Sequence, residues 1–145
     1  MNRFRRTVLG GLAALLAKPL AALAAWNESA FGAKTPQDAL KGIGVANPAP
    51  SKEIVIDAPQ IAENGAVVPI EITSNIPGTS SIAVVLEKNP FPLAAKFEFK
   101  EGALPFVKLN VKMAETADVR VVAAAGGRHY SATREIKVTI GGCGG

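Results

Sequence analysis

The residue best suited to chemistry is Cys143, the only cysteine among the 145 residues of the chain. It stands near the C-terminus between two glycine pairs, Gly141-Gly142 and Gly144-Gly145. Because glycine lacks a Cβ atom and is free in backbone conformation, we expect residues 141–145 to form a thin, flexible arm that carries the thiol into a narrow pocket. A single cysteine cannot form an internal disulfide, so the thiol is left for covalent chemistry or for pairing with a second chain.

The sequence around Cys143 argues against catalysis by this chain alone. The C-terminal carboxylate follows two residues later, and the nearest basic side chain is Lys137. Both features disfavour a thiolate, so activation is expected from a partner's pocket. His129 lies fourteen residues earlier, at the far end of a predicted strand, where only a sharp turn would bring it to the thiol. One histidine, one cysteine and scattered acids predict no metal site, and we predict no cofactor and no catalytic residue.

Residues 1–25 have the composition of an export signal. A basic start containing Arg5 and Arg6 is followed by an apolar run over residues 8–23 and a small-residue end. The arginine pair resembles the twin-arginine export motif. An uncleaved membrane anchor is the alternative, but sixteen residues that include Lys18 and Pro19 are short for ~30 Å of hydrocarbon. We therefore expect the mature chain in the periplasm, off the membrane.

The formal charge of +4 comes from the same leader. Residues 1–25 hold four basic side chains and no acid, which leaves twelve basic against twelve acidic side chains in the remainder. The basic residues of that remainder are scattered and form no stripe with aromatic neighbours. Binding to nucleic acid needs such a basic surface, so we exclude it.

The elements that position the cysteine divide into a helical or irregular segment, residues 26–50, and a β-sandwich domain, residues 51–140. In the first segment Thr35 is a predicted helix cap, with Pro36 at the first helical position and Asp38 near the positive helix end. The helix is expected to end near residue 42. Residues 47–50, Asn-Pro-Ala-Pro, predict an irregular connection.

After Pro50 apolar residues alternate with polar ones in short runs separated by turn residues such as Gly126-Gly127, which predicts about seven strands. The fold class is an immunoglobulin-like antiparallel β-sandwich with a short N-terminal helix. Pro69 lacks the amide hydrogen that a central strand would use, so its strand is predicted to be an edge or bulged strand. The predicted strands cover residues 53–58, 66–73, 81–86, 95–99, 106–113, 118–124 and 128–140.

The signal with Arg5-Arg6, the Thr35-Pro36 helix, the predicted sandwich and the Gly-Gly-Cys-Gly-Gly terminus together resemble the SoxY family of the bacterial sulfur-oxidising system. The resemblance implies a carrier, not an enzyme, that holds thiosulfate-derived intermediates covalently on Cys143. It implies a stable heterodimer with SoxZ, a second small β-sandwich. It also implies transient contacts with the haem-containing SoxXA, the SoxB hydrolase and the SoxCD dehydrogenase.

Three other interpretations of the terminus stay open. The cysteine of a frayed glycine-rich end can be incidental, or it can form an interchain disulfide in an exported structural or interaction domain. A ubiquitin-like carrier also ends in two glycines but holds sulfur as a thiocarboxylate on its last residue. That activation consumes ATP in the cytoplasm, and this chain is expected to leave the cytoplasm.

Overall fold

Two β-sheets face each other and enclose the main apolar core in the computed structural model, which describes residues 27–139. The larger sheet has the strand order β1-β9-β8-β5-β6, with β3 also pairing β9, and the smaller sheet has the order β2-β4-β7. The helices are α1 (Glu28–Phe31) and α2 (Pro36–Gly42). The strands are β1 (Ala49–Pro50), β2 (Ile54–Asp57), β3 (Ile61–Ala62), β4 (Val68–Ser74), β5 (Thr79–Leu86), β6 (Leu93–Glu98), β7 (Phe106–Val111), β8 (Ala117–Ala125) and β9 (Arg128–Val138).

The predicted β-sandwich with about seven strands is confirmed: each predicted strand corresponds to one of β2 and β4 to β9. The alternating runs place one face inward, as in β4, where Val68, Ile70 and Ile72 are fully buried. The longer apolar runs in β5 and β8 have both faces covered. Their second faces lie beneath α1 and α2 in a separate cluster that includes Leu40, Val85 and Val122.

The N-terminal segment contains the predicted helix and one that the sequence did not indicate. Thr35 caps α2 as expected: its side chain accepts a hydrogen bond from the Asp38 amide at 3.1 Å. The additional helix, α1, is capped by Asn27, whose side chain also donates to the Gly42 carbonyl of α2 at 2.8 Å. That bond joins the two helices over the larger sheet.

The prediction that residues 47–50 are irregular is wrong for Ala49 and Pro50, which form β1 and pair in parallel with Tyr130 and Ser131 of β9. Pro50 is tolerated because β1 is an edge strand, where an absent amide hydrogen breaks no ladder. The pairing continues past the proline, since the Ser51 amide donates to the Ser131 carbonyl at 2.9 Å.

The expectation of an edge or bulged strand around Pro69 is also wrong, because β4 is the central strand of the smaller sheet and pairs with β7 through Pro69 without a register shift. The Ser74 amide donates toward β7, to Pro105, while the next amide donates toward β2, to Glu53. Amide directions alternate along a strand, so the nitrogen of Pro69 faces the β2 side. The last pair there joins Asp57 and Glu71, so β2 has ended before it reaches Pro69 and no hydrogen bond is lost.

Candidate functional site

The strand that leads to the cysteine is β9, the longest strand of the described chain. It follows β8 through a two-residue turn at Gly126 and Gly127, whose φ angles are 58° and 74°. Positive φ at both positions is the geometry of the tight hairpin turn that matches strand twist. The hairpin keeps β8 and β9 in register from the pair Ala125–Arg128 to the pair Ala117–Ile136.

Ile136 is the last fully buried side chain before the C-terminus of the described chain. It lies in the core between the sheets, and the residues that follow it become more exposed, with Lys137 and Thr139 exposed and Val138 half-buried. The core therefore holds β9 as far as Ile136. Beyond that point the half-buried Val138 still packs against the same core, and hydrogen bonds hold Lys137 and Thr139.

These hydrogen bonds account for every amide of residues 137–139. On one flank of β9, the amides of Lys137 and Thr139 donate to the carbonyls of Gln60 at 3.0 Å and Ala62 at 3.1 Å, in and beside β3. On the other flank, the Val138 amide donates to the Thr116 hydroxyl at 2.9 Å. Buried or half-buried backbone groups are costly when unpaired, so this end of β9 is held on both flanks through residue 139. We call residues 137–139 with these partners the arm root.

The predicted arm, Gly141, Gly142, Cys143, Gly144 and Gly145, lies outside the described residues, as do Arg5 and Arg6. The arm root nevertheless limits where the cysteine can go. Cys143 is the fourth residue after Thr139, and extended chain spans at most ~3.6 Å per residue. The Cα atom of Cys143 therefore stays within about 14 Å of the Cα atom of Thr139.

His129 lies at the opposite end of β9, half-buried, in an open groove of about 580 Å³ beside Lys96, Glu98 and Ser81. Ten residues of strand and its continuation separate it from Thr139, which corresponds to about 33 Å. This distance exceeds the reach of the arm more than twofold. Within one chain, a thiol–imidazole pair between Cys143 and His129 is therefore excluded.

Charged groups with altered pKa values lie on strands other than β9. A hydrogen bond and the charge of Lys96 lower the pKa of Glu98 on β6. A hydrogen bond and the charge of Glu71 raise the pKa of Lys108 on β7, and burial opposes that shift weakly. Both pairs are exposed ion pairs on the surface, so they are not groups prepared for proton transfer.

The described residues contain no group of three or more His, Cys, Asp or Glu side chains that could hold a metal ion. Across residues 27–139, no helix has both the length and the apolar character needed to cross a membrane.

Thr116, Thr139 and the short strand β3 are the parts of the arm root that sequence reasoning missed. A two-residue strand has no periodicity to recognise, and Thr116 lies in the turn before β8. The only local signal was the high content of β-branched residues from Thr133 to Ile140, which predicted a strand but not its partners.

Comparison with known proteins agrees with this architecture. The model of the family "Sulfur oxidation protein SoxY" matches residues 40–143, which run from α2 to the cysteine. The solved sulfur carrier protein SoxY from Chlorobium limicola f thiosulfatophilum is 40% identical with a TM-score of 0.64, covering 70% of this chain and 92% of that chain. No curated protein matches the chain.

A superoxide reductase (neelaredoxin) from Ignicoccus hospitalis has a TM-score of 0.54 at 17% identity, covering 59% of this chain and 80% of that chain. At that identity the likeness extends to the fold alone. Fold and comparisons together define a small β-sandwich protein of sulfur oxidation. The chain belongs to the SoxY family.

Proposed function

We propose that this chain is a periplasmic sulfur carrier that holds thiosulfate-derived intermediates on Cys143 and presents them to the enzymes of the Sox pathway. The observation that carries the proposal is the arm root. The sandwich holds β9 and its continuation on both flanks as far as Thr139, and the residues that follow in the sequence are four glycines, one isoleucine and the only cysteine. Family membership and the 40% identical sulfur carrier support the same role.

The proposed loading step joins two sulfur atoms. The Cys143 thiolate and the outer sulfur of thiosulfate form an S–S bond, which gives a cysteine S-thiosulfonate and releases two electrons. These electrons pass to the haem of the partner SoxXA. The chain's own contribution is to deliver the thiol within about 14 Å of Thr139.

The proposed release step is hydrolytic. Water attacks the terminal sulfonate sulfur in the SoxB pocket, the bond between that sulfur and the neighbouring sulfane sulfur breaks, and sulfate leaves with two protons. A persulfide remains on Cys143. The SoxCD dehydrogenase then removes six electrons from this sulfane sulfur, while three water molecules supply its oxygens and release six protons, which gives a cysteine S-sulfonate. Hydrolysis of its S–S bond by a further water releases sulfate and regenerates the thiol. Pockets of several enzymes must admit the same cysteine, which favours neighbours without side chains.

We further propose that the carrier works as a heterodimer with SoxZ. Exposed apolar side chains support a protein partner: Val55 and Phe106 are 47% and 46% exposed in one row across the smaller sheet, and Leu104 beside them is 83% exposed. Large apolar groups clustered on a surface are typical of interaction sites. The Arg5-Arg6 motif supports export of the folded pair to the periplasm.

The test is intact mass measurement of the purified heterodimer after incubation with thiosulfate and the haem enzyme. We expect the mass of one bound thiosulfate on this chain, removed by a thiol reductant and absent in Cys143→Ser. Native mass measurement of the same sample reports the partner. An adduct that persists in Cys143→Ser would assign the chemistry to the terminal carboxylate. A mass of two linked chains and no thiosulfate adduct would support instead the structural domain with an interchain disulfide.

A further inference from the structure

The arm root has one feature that the sandwich fold does not require, a side chain that replaces a strand partner. On the β8 flank, regular pairing ends with Ala117 opposite Ile136. One residue before β8, the Thr116 hydroxyl accepts from the Val138 amide at 2.9 Å and donates to the Val138 carbonyl at 3.4 Å. A single hydroxyl group can act as donor and acceptor at once. Thr116 therefore continues the pairing of β9 two residues beyond the last backbone pair.

The opposite flank is held mainly by backbone. Pairing with β3 at Ile61 and Ala62 covers Lys137 and Val138, and the Thr139 hydroxyl adds a bond to the Glu63 carbonyl at 3.3 Å. A strand of two residues is too short to hold its partner alone. Within the described chain, the exposed end of β9 therefore depends on the Thr116 hydroxyl as its hydrogen-bonded tie toward β8.

We infer that Thr116 is a positioning residue for the carrier arm: its hydroxyl fixes Thr139 as the point from which Cys143 extends. This inference deepens the proposed function and its kinetic part rests on it. If the bonds to Val138 are lost, residues 137–139 keep only their bonds to residues 60–63 and the packing of Val138 on the core, so this segment separates from the sheet more often. In the separated state the fixed point retreats to Ile136. The span to Cys143 then grows from four residues to seven, or from about 14 Å to about 25 Å.

A longer free segment lowers the effective concentration of the Cys143 thiol. For a flexible segment the available volume grows with about the 3/2 power of its length, so complete release of residues 137–139 lowers the effective concentration of the thiol at a docked partner's pocket about twofold. The chemistry inside the pocket is unaltered by this change. We therefore expect kcat/KM of the partner hydrolase on the loaded carrier to fall through KM, while kcat is preserved.

The test compares Thr116→Val, which keeps the shape of the side chain but removes the hydroxyl, with Thr116→Ser, which retains it. Thr133→Val is the matched control, because Thr133 is an exposed threonine of β9 whose side chain has no hydrogen bond in the described chain. Three measurements are made on the full-length chain. They are amide exchange at Val138 and Thr139, broadening of amide signals by a nitroxide on Cys143, and KM and kcat of the hydrolase with the loaded carrier.

In Thr116→Val we expect exchange at Val138 to accelerate roughly tenfold, as for loss of one hydrogen bond. Nitroxide broadening should extend to amides farther from the arm root, and KM should rise by up to about twofold. Thr116→Ser should restore all three values, and Thr133→Val should not change them. Unchanged exchange and unchanged broadening in Thr116→Val would overturn the inference, as would a loss of kcat with KM constant.

The label and exchange measurements need no sulfur chemistry, so they test the positioning role even if Cys143 of the unmodified chain takes no thiosulfate. Failure of Cys143 to take up thiosulfate would refute only the proposed function and would leave the positioning role of Thr116 standing. A Thr116→Val chain that fails to fold would be recognised by exchange throughout the core, and Thr116→Ala then replaces it in the same three measurements.

Discussion

Replacing Ile136 by alanine removes the last core contact before the arm root. Ile136 is fully buried in the main core between the sheets. Loss of three carbon groups at ~0.8 kcal/mol each costs about 2.4 kcal/mol, and the remaining cavity raises the cost to about 3–4 kcal/mol. A domain of this size is stabilised by about 5–15 kcal/mol in total. Ile136→Ala therefore removes a large share of the free energy of unfolding.

The assay is reversible urea unfolding of the reduced full-length chain, followed by far-ultraviolet circular dichroism. We expect the midpoint to fall with the slope unchanged, and the thermal midpoint to fall by roughly 10–15 °C. Lys137→Ala is the matched control, because Lys137 is the exposed neighbour and has no ion pair in the described chain. Its effect should stay within about 0.5 kcal/mol. A cost below about 1 kcal/mol for Ile136→Ala would refute the view that the core holds β9 as far as this residue.

Two further predictions concern the helices and the surface charges. In Gly42→Ala the added Cβ would lie 2.7 Å from the Cα atom of Ala30, so α1 and α2 must separate. We expect a loss of about 1–3 kcal/mol in urea unfolding, whereas Lys41→Ala on the exposed side should change little. Lys96→Ala should raise the pKa of Glu98 toward its ordinary value of 4.5, as measured by carboxyl NMR titration. Because Lys96 lowers that pKa, its stabilising effect exists above pH 4.5 and disappears as the pH falls, so the two chains should converge in stability in acid.

Local patterns in the sequence predicted most individual elements. Thr35 and Pro36 were sufficient for α2, because capping and the first helical position depend on residues next to each other in the chain. The alternation in β4 and β9 was sufficient for strands, because a strand with one buried face imposes a period of two. α1 escaped prediction, since four residues are too few to show helical periodicity.

Pairing between distant segments could not be predicted in the same way. Pro69 was expected in an edge or bulged strand, but β2 ends opposite Glu71, so the missing amide hydrogen of Pro69 breaks no ladder in a central strand. Pro50 was expected to lie in an irregular connection, but it pairs with the free flank of β9 as a strand residue. In both cases the missing amide hydrogen was recognised, but the predicted structure was wrong because it depends on the neighbouring strand, which the sequence does not specify.

For the site itself, composition and local order determined the candidate chemistry: the only cysteine of the sequence stands among four glycines, and its single histidine and scattered acids do not have the spacing of a metal site. These properties belong to residue types and need no coordinates. Only the tertiary structure showed that Thr139 is the last held residue of the described chain before Cys143 and that His129 lies beyond the reach of the thiol. Thr116 and Thr139 are 23 residues apart in the chain, and the hydrogen bonds around them form only when β8, β9 and β3 are assembled, so no local sequence pattern encodes them.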